Sequence, residues 1–137
     1  MASSRRSQRT AAAAFSSFSL NEENKAKLVR EGGLTTILSC CRYNDLEVQR
    51  DAAFALANLA DSVEYQKDIA REGGIETLAA VGLSDDARVQ RDAARALASL
   101  SVPSDIKEQI IDKGALPSLF ALARSLDVAS QRYATLT

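Results

Sequence analysis

The sequence predicts an all-α fold, a solenoid of about three 41-residue units with three helices in each. Three observations carry that expectation. Gln-Arg pairs stand at Gln8-Arg9, Gln49-Arg50, Gln90-Arg91 and Gln131-Arg132, each 41 residues after the last. Glycine pairs keep the same step at Gly32-Gly33 and Gly73-Gly74, with Gly114-Ala115 as the third member. The 137 residues are rich in Ala and Leu, only 5% aromatic and without Trp, which suits close-packed helices better than a β-sandwich.

The elements follow in chain order. Gln8 to Ser19 is a loose copy of a long helix, with Ala11, Ala12, Phe15 and Phe18 filling an apolar stripe at three- and four-residue steps. Leu20-Asn21-Glu22 breaks it, and a short helix with Leu28-Val29 runs to the glycine pair, where a residue can take positive φ without a Cβ clash. Leu34, Ile37 and Leu38 mark a middle helix, and Asn44-Asp45 is a polar linker into the next long helix. Val48 to Ala60 (VQRDAAFALANLA) and Val89 to Ser101 (VQRDAARALASLS) are two sharp copies of that long helix. Their Ala-Ala pairs let neighbouring helix axes approach closely. Ile69-Ala70 and Ile110-Ile111 repeat the short helix, and Pro103 with Ser104 and Asp105 suits the start of its third copy. Ile75, Leu78 and Val81, then Leu116, Leu119 and Leu122, repeat the middle helix, with Pro117 in the tolerant first turn. The units lie at about 8–48, 49–89 and 90–130, a fourth opens at 131–137, and residues 1–7 read as a disordered N-terminus.

Helix–GG[IL]–helix–VQ..AA.AL.NLA resembles the armadillo repeat, and EGGLTTIL with VQRDAAFALANLA lies close to its consensus from about Gln8 onward. A HEAT array shares the period but more often has two helices per unit. The resemblance implies a right-handed solenoid whose long helices line a concave face, with a partner running along it in extended form. On the second long helix Arg50, Phe54 and Asn58 follow at i, i+4 and i+8, leading away from the apolar stripe. The same columns hold Arg91, Arg95 and Ser99 in the third unit and Arg9, Ala13 and Ser17 in the first, and Arg132 opens the fourth. Importin-α-like proteins use aromatic–x–x–x–Asn pairs for basic peptides, a pattern met only by Phe54-Asn58. The arginine column is closer to vacuolar-adaptor and β-catenin-like armadillo proteins. The peptide-binding residues expected are therefore Arg50, Phe54, Asn58, Arg91, Arg95, Ser99 and Arg132, with arginines pairing carboxylates of an acidic, extended peptide and Asn58 bonding its backbone. A second reading stays open: Glu47, Asp51 and Asp92 adjoin the column, which then is only a solvated or salt-bridged face.

No catalytic constellation is legible. His is absent, removing the commonest general base and metal ligand. Cys40 and Cys41 are adjacent, in the columns of Val81-Gly82 and Leu122-Ala123, so at least one is expected in the core of a protein from a reducing compartment. EGGL and EGGI lack the strand–loop–helix setting and the Lys-Ser/Thr of a phosphate loop. No cofactor or metal is expected. Net charge is −1 with 26% charged residues, and aromatics do not interleave with basic residues, so nucleic acid is not the expected partner. No apolar run reaches the ~18 residues of a membrane span. The Arg- and Ser-rich opening stretch has a presequence-like composition, yet Gln8-Arg9 sits on the repeat grid. Position 2 is Ala, not the Gly of a myristoylation signal. The expected function is a non-catalytic, cytoplasmic interaction scaffold or adaptor, compatible with nuclear or partner-mediated membrane residence. The alternative is a repeat segment of a larger regulatory protein, such as a ubiquitin ligase, whose activity lies elsewhere. No capping repeat follows the third unit, so a piece of a longer array is expected.

Overall fold

In the computed structural model, residues 2–117, 119–120 and 123–124 are described, and they fold as eight helices with helical backbone also at the described positions from Leu116 onward. The order is α1 (Ala2–Phe18), α2 (Glu22–Arg30), α3 (Gly33–Cys41), α4 (Leu46–Ala60), α5 (Val63–Arg71), α6 (Gly74–Val81), α7 (Ala87–Leu100) and α8 (Ser104–Asp112). The long helices α1, α4 and α7 stack on one another, and α3 and α6 pack beneath α4 and α7. That is the layered solenoid expected from the spacing. α1 begins at Ala2, so the boundary drawn at residue 8 falls inside a helix. Ser3, Ser4, Arg5 and Arg6 continue the first long helix rather than forming a separate tail. The fourth-unit start at 131–137 and Leu122 lie outside the described residues.

Several boundaries have a local cause. Asn21, Asp45 and Asp86 sit in extended backbone at the N-caps of α2, α4 and α7, and their side chains accept the amides of Asn24, Val48 and Val89. These bonds satisfy N–H groups that have no partner within the helix. The turns from α2 to α3 and from α5 to α6 pass through Gly32 (φ 82°) and Gly73 (φ 93°), a left-handed conformation that a Cβ disfavours. The second glycine serves contact, not φ: a Cβ on Gly74 would lie 2.6 Å from the Ile69 carbonyl oxygen. The third unit carries Ala115 there, and its middle helix starts one residue later, at Leu116.

The core lies between the stacked long helices. On α4, Ala52, Ala55, Leu56, Ala57, Leu59 and Ala60 are all inaccessible, because the helix is covered by α1 on one side and α7 on the other. Alanine on two flanks lets three helices pack side by side, while Leu56 and Leu59 are fully buried, each contributing about 1.5–3 kcal/mol on burial.

Candidate functional site

The periodic Gln-Arg pairs do two structural jobs. Gln49 Nε2 donates to the Tyr43 carbonyl oxygen at 2.8 Å, and Gln90 Nε2 to that of Ser84, so each glutamine staples the linker before its own helix. The arginine reaches forward. Arg9 Nη2 donates to Asp45 Oδ2 at 2.9 Å and Arg50 Nη2 to Asp86 Oδ2 at 2.6 Å, each across 36 residues. Those aspartates are the N-caps of the next long helix, and their other oxygens accept Val48 and Val89 amides at 3.1 and 3.0 Å. The hydrogen bond from Arg9 holds the Asp45 carboxyl below the usual carboxylate range, and that from Arg50 does the same to Asp86. Arg5 and Glu47 join the first clamp, at 3.6 Å from Asp45 and 3.4 Å from Arg9. The arginine column therefore exists where the sequence places it, but its Arg9 and Arg50 rungs are tied into the fold. Arg91 is exposed and makes no ion pair among the described residues. Its sequence counterpart Asp127 and the expected site residue Arg132 lie outside the described residues.

The other expected residues come together on one surface. Phe54 and Asn58 on α4 and Arg95 and Ser99 on α7 form a continuous row with two residues that the sequence reading did not single out, Ser19 and Asp61. Asn58 Nδ2 donates to Ser19 Oγ at 3.0 Å, and Asn58 Oδ1 accepts from Arg95 Nη2 at 2.9 Å. Arg95 Nη1 donates to Asp61 Oδ2 at 2.7 Å, and Ser99 Oγ donates to Asp61 Oδ1 at 3.0 Å. The Arg95 guanidinium also stands 5.9 Å from the Phe54 ring centre, within range of a cation–π attraction. The row thus links residues of three successive units. Asp61 escapes sequence reasoning because its column reads Leu20, Asp61 and Val102, with no periodic signal. Asp45 and Asp86 did carry one, since they sit on the 41-residue grid.

Elsewhere the chemistry is sparse. Cys40 and Cys41 are both buried, free thiols; burial pushes Cys41 up to about 12. Burial also raises the Asp51 and Asp92 carboxyls above their usual range. No cluster of His, Cys, Asp or Glu among the described residues could hold a metal ion. Among the described residues no helix is long and apolar enough to cross a membrane. An open groove of about 550 Å³ lies between α3 and α6, lined by Thr35, Ser39, Arg42, Glu72, Glu76 and Thr77, and none of the expected site residues lines it.

Comparison with known proteins agrees with this architecture. Residues 21–61 match the armadillo/β-catenin-like repeat family. Among solved structures, the chain is similar to three engineered proteins crystallised by the Northeast Structural Genomics Consortium. The first superposes with a TM-score of 0.76 at 31% identity, over 82% of this chain and 48% of that one. The second gives 0.75 at 34% identity, over 82% and 47%. The third gives 0.73 at 38% identity, over 79% and 27%. The chain spans less than half the length of each of these engineered proteins. No curated protein matches it.

Proposed function

Taking as premise that this chain belongs to the armadillo-type repeat family, whose repeats generally mediate protein–protein interaction, we propose that it is a non-catalytic scaffold for an extended, acidic polypeptide. One observation carries this reading: the polar row from Asn58 to Arg95 and Ser99 runs half-exposed across two stacked units and is anchored on the buried Ser19 of the unit before, the shape of a track rather than a pocket. Arg95, 36% exposed at its side chain, and the exposed Arg91 supply the positive charge that pairs carboxylates, Phe54 a flat apolar contact, and Asn58 an amide able to bond a peptide backbone. Arg50 keeps its place beside the track but acts through the inter-unit clamp, because Asp86 already holds its guanidinium. On this reading the partner's charges meet the third unit before the second.

The test is a titration of the ¹⁵N-labelled protein with an end-blocked, glutamate-bearing peptide. Shifts should cluster at Phe54, Asn58, Arg91, Arg95 and Ser99, and weaken with added salt. Shifts confined to the α3–α6 groove would reject this surface.

A further inference from the structure

Three arginine–aspartate pairs join successive units among the described residues, and they are of two kinds that differ in a way that points to ligand chemistry. Asp45 and Asp86 are N-caps with side chains only 4% and 12% exposed, each bonded to a backbone amide as well as to its arginine. Swinging either aspartate side chain out of its place would also unfasten a helix start. Asp61 is different. It follows α4 at the C-terminal end, where the helix is closed by backbone N–H groups, and its side chain caps nothing. At 45% exposed, it faces solvent. Yet both of its oxygens are held, one by Arg95 at 2.7 Å and the other by Ser99 at 3.0 Å, from the next unit.

We propose that Arg95 and Ser99 form a carboxylate seat, and that Asp61 is its resident stand-in, displaced when a partner's acidic side chain binds. This rests on the acidic-partner reading above and adds what that reading lacks: which arginine receives the charge, and what competes for it. The seat is preorganised. The guanidinium stands 5.9 Å over the centre of the Phe54 ring, and Asn58 Oδ1 accepts from Nη2 at 2.9 Å, so the fork stays aimed when the carboxylate changes. Asp92, at 3.6 Å on the same helix, is the remaining anionic neighbour of Arg95. A partner carboxylate would exchange one charge-assisted pair for another, so Asp61 weakens acidic ligands generally and favours those that add further contacts along the row.

The experiment uses fluorescence anisotropy with a labelled, end-blocked glycine-serine peptide carrying glutamates, and a matched glutamine peptide. Asp61→Asn should tighten the glutamate peptide about fivefold or more, without effect on the glutamine peptide. Asp51→Asn removes an equal charge from the same helix at a residue that does not bond Arg95, and should change binding less than about twofold. Arg95→Gln should weaken binding by about tenfold, and Asp61→Asn should give no gain in that background. Asp61→Ser provides a second variant should the amide find a new partner in the seat. A glycine-serine peptide with a free C-terminus tells a terminal carboxylate from a side-chain one; a gain confined to it keeps the seat and changes the source. Equal effects of Asp61→Asn and Asp51→Asn would overturn the seat, as would unchanged binding in Arg95→Gln, while leaving the scaffold reading intact. Failure of wild type and Asp61→Asn alike to bind the glutamate peptide would overturn both the seat and the acidic partner.

Discussion

Arg50 Nη2 donates to Asp86 Oδ2 at 2.6 Å, while Asp86 Oδ1 accepts the Val89 amide at 3.0 Å, so one carboxylate caps α7 and ties it to α4. Arg9, Asp45 and Val48 repeat the arrangement one unit earlier. Asp86→Ala should therefore destabilise more than Arg50→Ala, since the first loses cap and clamp and the second the clamp alone; the cap by itself is worth about 1 kcal/mol. Arg50→Lys should recover only part of the loss, because an ammonium lacks the planar fork. Urea denaturation of the three variants checks the order.

Acid should act on these clamps with a definite sign. Asp45 and Asp86 are held below the ordinary carboxylate range, first by the hydrogen bonds from Arg9 and Arg50. Their stabilisation is complete above the unfolded-state value of about 4 and is lost as pH falls through the depressed folded values. Asp51 and Asp92 run the other way, since burial raises them, and their adverse contribution at neutral pH is relieved as pH falls through the raised values. In thermal melts between about pH 7 and 2, Asp86→Asn should flatten the acid side of the Tm curve. Asp92→Asn should raise Tm at neutral pH and leave it unchanged in strong acid. A parallel downward shift of the whole curve by Asp86→Asn would reject the linkage.

The glycine pair divides its work by position. Gly73→Ala forces an L side chain to φ 93° and should cost about 1–2 kcal/mol. Gly74→Ala should cost more, because its Cβ meets the Ile69 carbonyl oxygen at 2.6 Å, a backbone atom that yields only if the start of α6 shifts. Ala115 shows the form that shift takes, a middle helix beginning one residue later. Denaturation midpoints for the two variants, with a crystal structure of the second, test both statements.

Both thiols should be inert in the folded protein. Cys41 is fully buried with its pKa pushed up to about 12, and Cys40 is 1% exposed. A disulfide-exchange reagent at mildly alkaline pH should label neither until denaturant is added, so that labelling tracks unfolding measured by circular dichroism. Fast labelling of native protein would contradict the packing.

One column tests the stack itself. Leu59 and Leu100 are fully buried, whereas Phe18 in the same column is 47% exposed. Leu59→Ala should cost about 2–5 kcal/mol, and Phe18→Ala less than about 1 kcal/mol. Comparable losses would contradict the different burial of the two side chains.

The chain's local rules were legible without coordinates. Glycine placement, apolar steps of three and four, and the equal spacing of Gln-Arg pairs fix helix, turn and unit, because each depends on residues within one unit. Both cysteines landed in core columns for the same reason. The start of α1 was not legible: Ser3 to Ser7 lack apolar periodicity, so nothing local distinguishes helix from tail there.

The sequence by itself determined which side chains face away from the core, since helical periodicity assigns a face to each residue. Only the tertiary structure decided what those side chains do there. Stacking brings Arg50 to a buried cap carboxylate and Arg95 to an exposed one, so two arginines on neighbouring long helices become a clamp and a candidate seat. Partners 34 to 36 residues away are chosen by the pitch between units, and no pattern within a single helix encodes it.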